Sequence, residues 1–150
     1  MRSFLDTSAL VKLYVREPGS EAMLQLADAA AAGELLISSL AGVEVASALC
    51  LLERTQKVSA EARRLLLGQF REDEGWRFTR QSVTDAVLGI ASGLVERHPL
   101  RAYDAVQLAS CLIGGSSGAQ RFICSDRQLL AAALAENLDA WNPDSGVPIA

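Results

Sequence analysis

The stretch R-F-I-C-S-D-R-Q-L-L-A-A-A, residues 121–133, holds the fold in miniature. A short apolar run ends at Cys124, Ser125-Asp126 breaks it, and an alanine- and leucine-rich helical pattern follows to about Glu136. A short apolar run bounded by turn chemistry reads as a strand, and an aspartate at the break is a favoured helix cap. The chain opens with the same grammar. Ser3-Phe4-Leu5 is a strand, Asp6 follows it, and a helix capped by Thr7 or Ser8 runs to about Val15, where Glu17-Pro18-Gly19 stops it. Working inward, a helix over Ser20–Ala32 leads to a second strand, Leu35–Ser38, and Ser38 or Ser39 caps a long helix to about Arg54. Ser59 opens a helix to about Glu72, Trp76–Thr79 is a third strand, and Ser82 with Asp85 has capping-box spacing for a helix to about Arg97. A helix over Ala102–Ile113 and a flexible loop over Gly114–Gln120 precede the fourth strand, Arg121–Cys124; Leu138–Trp141 is a fifth. Strands alternating with helices predict βαβ units and an α/β fold around a parallel sheet of about five short strands.

The chain of 150 residues fits one domain and is long enough to bury a core without a metal or disulfide staple. Its net charge of −4 excludes broad electrostatic binding of nucleic acid, although a nucleic acid held at a small local site stays open. Cys50, Cys111 and Cys124 lie in apolar runs without C-x-x-C spacing or a histidine cluster, so they predict buried free thiols and no zinc. The first residues lack a signal-peptide pattern, and the low-charge stretch Leu35–Leu52 is interrupted by Glu44 and three serines, so a soluble, cytoplasmic protein with no membrane span is expected.

Four of the 18 acids stand apart. Asp6 follows the first strand, Glu44 is the only charge between Glu34 and Glu53, Asp104 opens the helix leading back to strand four, and Asp126 follows that strand. Parallel strands joined by helices bring all four to the carboxyl end of the sheet, where α/β folds place their sites. Singly, Asp6 and Asp126 also read as helix caps and Asp104 as a partner of the helix dipole. Glu44, on an apolar stretch, must reach water, a cation or a partner. Together they repel unless a cation compensates, and hard oxygen donors without His or Cys suit Mg2+ or Mn2+.

The segments F-L-D-T-S-A-L-V-K-L-Y, E-V-A-S-A-L, L-R-A-Y-D-A-V-Q-L-A and F-I-C-S-D-R-Q-L-L-A-A-A resemble, in order, the PIN-domain ribonucleases, and among them the VapC-type toxins of bacterial toxin–antitoxin pairs. The likeness runs from Met1 to about Asn142; it implies a PIN-like nuclease domain over residues 1–142, followed by a loose tail over 143–150. It also implies a three-layer α/β/α sandwich, metal-dependent RNA cleavage, a homodimer, and inhibition by a small cognate antitoxin. The family's four acids fall on Asp6, Glu44, Asp104 and Asp126, and its hydroxyl positions on Ser8 and Ser125. Asp6, Asp104 and Asp126 are then expected as metal ligands, Glu44 as a ligand or a residue that orients water, and Ser8 and Ser125 as supports. Arg127 reads as a solvated helix residue with substrate phosphate as a possible contact.

Other chemistries fail on residue counts. His98 is the only histidine, so the histidine pair of metal-free ribonucleases is missing, and beside Pro99 it reads as a surface or capping residue. No P-loop motif is present, and Ser8 stands where a haloacid-dehalogenase-like phosphatase needs a second aspartate. Trp76, Trp141, Tyr14 and Tyr103 form no stacking platform in sequence and read as core or interface residues. A housekeeping RNA-processing nuclease and a non-catalytic RNA- or protein-binding module are the competing functions.

Overall fold

A computed structural model describes residues 1–115 and 120–146. Its five strands are β1 (Arg2–Leu5), β2 (Leu35–Ser38), β3 (Thr79–Gln81), β4 (Gln120–Ile123) and β5 (Asp139–Trp141), paired in the order β3-β2-β1-β4-β5 with every pairing parallel. The helices are α1 (Thr7–Leu10), continued by a 3-10 turn over Val11–Leu13, α2 (Ser20–Ala29), α3 (Ala41–Arg54), α4 (Ala60–Glu74), α5 (Asp85–Arg97), α6 (Ala102–Gly114) and α7 (Arg127–Ala135).

Alternation along the strands sorts these helices into two layers. Leu5, Ile37 and Ile123 face one side, where they pack with Leu10, Met23, Val45, Leu49 and Phe70 of α1–α4. Phe4, Leu36 and Phe122 face the other, against Val87, Leu94, Leu108 and Leu129 of α5–α7. The result is a three-layer α/β/α sandwich. Phe4 and Phe122 are register partners on β1 and β4, their rings stacked at 5.9 Å, and both are fully buried. Side chains of this size gain roughly 1.5–3 kcal/mol each on burial, so the centre of the sheet is fixed by its two innermost strands.

Several boundaries differ from the sequence expectation for local reasons. The third strand lies at Thr79–Gln81, not Trp76–Thr79, because Trp76 and Arg77 extend the end of α4 by donating their N–H groups to the Asp73 carbonyl at 3.1 and 2.7 Å. The helix expected to start from a Ser82 box starts at Asp85, with Thr84 Oγ1 accepting from the Val87 N–H. Ser39 does not cap α3; its hydroxyl accepts from the Val83 N–H, tying the end of β2 to the segment after β3. The first helix ends early, since its cap is Asp6 itself and it tightens to 3-10 at Val11. Most of the predicted Gly114–Gln120 loop lies outside the described residues. Among the described residues all three cysteines are free; Cys111 and Cys124 are buried and Cys50 is half-buried. No described helix is long and apolar enough to cross a membrane.

The stretch expected as a loose tail is tied down through Gly146. Pro143–Ser145 forms a 3-10 turn with Pro143 buried, and Trp141 Nε1 donates to the Gly146 carbonyl at 2.9 Å. The Asp144 carboxylate meets Lys12 Nζ at 3.0 Å, and Lys12, only 5% exposed, also donates to the Pro18 carbonyl at 2.7 Å. Gly19 makes this contact possible. Its φ of +87° is left-handed, and a Cβ there would stand 2.8 Å from Asp144 Oδ1 and 2.9 Å from the Pro143 carbonyl carbon. Gly19→Ala is therefore expected to cost roughly 2 kcal/mol, from the left-handed penalty and the clash together, measured as a lower denaturant midpoint. A midpoint equal to that of the unmutated chain would show that the tail does not hold this position.

Candidate active site at the carboxyl edge of the sheet

Strand ends and helix starts build the site. Asp6 closes β1 and caps α1; its Oδ2 accepts from the Ser8 hydroxyl at 2.6 Å and the Ser8 N–H at 3.2 Å. The Ser8 hydroxyl in turn accepts from the Ser125 N–H at 3.0 Å, locking the turn after β4 onto the turn after β1. Asp126 caps α7 through the Leu129 N–H at 2.9 Å. Asp104 sits in the first turn of α6, with Arg101 Nε 3.4 Å from Oδ2. The roles of Asp6 and Asp126 as caps and of Asp104 in the first turn of α6 are thus real, but each contact occupies only one carboxylate oxygen. Among the described residues, Asp6 Oδ1, Asp104 Oδ1 and Asp126 Oδ2 have no protein donor.

Glu44 is held differently. Gln107, 1% exposed on α6, donates through Nε2 to both Glu44 oxygens at 3.1 and 3.0 Å and to Thr7 Oγ1 at 3.3 Å. The Thr7 hydroxyl also donates to Glu44 Oε2. This answers the demand that a carboxylate on an apolar helix must find partners, and it fixes the carboxylate in one orientation. Sequence reading passed over Gln107. Its signal was an amide three residues after Asp104, on a helix otherwise of small and apolar residues, and so on the same helix face.

The acids sense one another. Burial, offset in part by the Ser8 contacts, lifts the Asp6 carboxyl from the usual 3.8 to about 6, and the charges of Glu44 and Asp104 add to the rise. Asp104 is also raised, by burial first and by Asp126 against the opposing pull of Arg101. The buried Cys124 thiol, beneath the edge, is pushed upward by burial and by the fields of Asp6, Asp126 and Asp104. The four carboxylates therefore form one electrostatic group. The Ser125 hydroxyl turns away from the four acids and donates to Asp144 Oδ1 at 3.3 Å, so among the described residues only its N–H, through Ser8, links Ser125 to the site; Arg127 is exposed and pairs with no carboxylate among the described residues. His98 lies elsewhere, at the end of α5, with Nε2 2.7 Å from Glu136.

The donor set fits a hard divalent cation: oxygen ligands only, mutually repelling, with free lone pairs on three aspartates. Among the described residues no three His, Cys, Asp or Glu side chains form a ready cage for a metal ion.

The sequence matches the PIN domain family over residues 3–133, most of the chain and all four acids. The chain belongs to the PIN domain family. A comparison with curated proteins finds no match. Similar solved structures include FitAcB from Neisseria gonorrhoeae, with TM-score 0.68 and 15% identity over 94% of this chain and 97% of that one. A toxin–antitoxin complex from Klebsiella pneumoniae gives 0.61 and 16% over 94% and 97%. VapC20 from Mycobacterium tuberculosis, a sarcin–ricin-loop-cleaving toxin, gives 0.64 and 19% over 87% and 94%. At these identities the likeness establishes a shared PIN fold.

Gln107→Leu tests the hold on this PIN domain's Glu44. The change removes the donors to Glu44 and Thr7 but also removes Gln107 Oε1, a buried acceptor without a partner. The two effects oppose, each about 1–3 kcal/mol, so stability should change by about 1 kcal/mol or less. Nuclease activity should fall about 10–100-fold, as when a supporting contact to a functional group is lost. A thermal melt and a cleavage assay on the same preparation check both; full activity would make Gln107 a packing residue only.

Proposed function

We propose that this PIN domain is a divalent-metal-dependent ribonuclease acting as the toxin of a toxin–antitoxin pair. The observation that carries the reading is the coupled carboxylate group, in which three aspartates keep a free oxygen and Glu44 has both oxygens engaged. Asp6, Asp104 and Asp126 are the residues to hold Mg2+ or Mn2+, which when bound offsets phosphate charge and makes water more acidic. Glu44, oriented by Gln107 and Thr7, ligates the cation or orients the attacking water. Ser8 and Ser125 keep Asp6 and the turn after β4 in register. Arg127, exposed at the start of α7, meets a substrate phosphate.

The chain's negative charge makes an added cation a condition of phosphate approach, not an accessory. Water attack leaves 5′-phosphate and 3′-hydroxyl ends, whereas attack by the neighbouring 2′-hydroxyl leaves a cyclic phosphate. Mass spectrometry of an RNA oligonucleotide cut in Mg2+ or Mn2+, and intact in chelator, tests the reading. Cyclic ends, or equal cutting in chelator, would refute it.

The structural likeness to the Klebsiella toxin–antitoxin complex supports a small antitoxin as protein partner. Growth arrest on expression, relieved by a co-expressed antitoxin, separates this from housekeeping RNA processing. A homodimer through the outer faces of α2 and α3 completes the proposal, with light scattering as its check.

A further inference from the structure

The turn after β4 is held from two directions. On the inside, the Ser125 N–H donates to the Ser8 hydroxyl, which itself donates to Asp6 Oδ2. On the outside, the Ser125 hydroxyl donates to Asp144 Oδ1 at 3.3 Å, and the same oxygen meets Lys12 Nζ at 3.0 Å. Lys12 belongs to the 3-10 turn that continues α1, the helix capped by Asp6, and Ser125 directly precedes Asp126. Asp144 therefore bridges the two backbone segments that carry Asp6 and Asp126. It can do so because it is fixed itself. Segments near a chain end fray unless they are tied down. Here Pro143 is buried, the Asp144 N–H donates to Asn142 Oδ1 at 2.9 Å, and the Gly146 N–H donates to the Pro143 carbonyl at 3.0 Å.

We propose that Asp144 is a positioning residue of the cation site, setting the separation of Asp6 and Asp126 through Ser125 and Lys12. The inference rests on the metal-dependent reading of those acids and adds to it a residue that never touches the cation. Acids gathered at one edge repel until a cation arrives, so the protein must hold their spacing beforehand. The inner link alone cannot. One hydrogen bond, from the Ser125 N–H to Ser8, is a pivot about which the turn can rotate. A second bond, made by the same residue to another element, removes that rotation. Outer contacts that fix the direction of ligands are worth about 10–100-fold in metal affinity. A tail that only stabilised the fold would need its buried proline and the Trp141 contact, but not a carboxylate aimed at Ser125.

The test is Mn2+ binding to the full chain without RNA, read from the paramagnetic resonance signal of the free ion. Ser125→Ala removes the outer link but leaves the N–H to Ser8 and the Lys12–Asp144 pair in place. Asp144→Ala removes the outer link and the pair. Each should raise the Mn2+ Kd about tenfold. The double variant should bind no more weakly than Asp144→Ala, because both changes interrupt one contact. Ser125→Thr keeps a hydroxyl and should keep the affinity. Nuclease activity lost by Ser125→Ala at low Mn2+ should return at saturating Mn2+, which a loss of folded protein would not allow. Unchanged Mn2+ affinity in a folded Ser125→Ala protein overturns the positioning role. So does a double variant in which the two losses add in full, or a Thr variant as weak as Ala. If Asp144→Ala does not fold, Ser125→Ala set against Ser125→Thr decides alone. If the unmutated chain binds no Mn2+, the metal reading fails and takes this role with it. Normal Mn2+ binding with indifferent variants removes the role of Asp144 alone.

Discussion

Asp6→Asn, Asp104→Asn and Asp126→Asn are each expected to lower RNA cleavage on the order of a hundred- to a thousandfold while the protein stays folded. Each substitution keeps shape and keeps one acceptor oxygen, so Asn can still serve the local contact made by the native residue: the Ser8 donors for Asp6, Arg101 for Asp104 and the Leu129 N–H for Asp126. What disappears is the negative charge and one of the two equivalent oxygens. If these residues served those local contacts and nothing more, activity would survive, because the contacts survive. Steady-state cleavage rates set beside circular dichroism melts separate the two cases. Near-normal activity in any well-folded member of the three would remove that residue from the site. Ser8→Ala should be milder, about 10–100-fold, since Ser8 acts through Asp6 and the Ser125 N–H.

The position of the carboxylates was legible because it depends on topology and not on detail. Asp6 and Asp126 each follow a strand directly, and parallel strands with helical crossovers deliver such residues to one edge wherever the exact strand ends fall. The third strand could shift from Trp76–Thr79 to Thr79–Gln81 without moving any of the four acids. Local choices were less legible where two partners compete for one group. Ser39 had the right chemistry for a cap but found the Val83 N–H, a bond 44 residues away in sequence. The same holds for the tail, whose anchor is Lys12 on the far side of the chain.

Gln107 was the largest omission. A glutamine on a helix usually reads as solvated, and its role depends on Thr7 and Glu44, 100 and 63 residues distant. Only the reach of Gln107 past the sheet edge, from α6 to the turn after β1 and to Glu44 on the opposite layer, turns that amide into the clamp on Glu44. Tyr103, read as a core or an interface residue, is not in the core: its place in the first turn of α6 leaves it 66% exposed.

The strongest test of the electrostatic group is the pH dependence of stability in chelator. Asp6 has a folded pKa of about 6 against 3.8 in its ordinary state. Between those values the folded protein binds more protons at Asp6 than the unfolded chain, so stability falls as pH rises through the window and levels off above it. The difference corresponds to roughly 3 kcal/mol. Asp6→Asn lacks this titration. At about pH 4 the variant and the unmutated protein should therefore differ little, whereas at neutral pH in chelator the variant should be more stable by up to roughly 3 kcal/mol. Asp104, raised in the same direction, predicts that Asp104→Asn also melts at or above the unmutated protein under these conditions. Mg2+ or Mn2+ should then reverse the order. A cation binding only the folded state adds about 2.7 kcal/mol at a hundredfold excess over its Kd, and the variants, lacking a ligand, should gain much less. Chemical denaturation at two pH values, with chelator and with metal, reads every arm of this prediction. If Asp6→Asn is destabilised at neutral pH in chelator, the charge at Asp6 is already compensated by the protein, and the cation is not what the four carboxylates are arranged to receive.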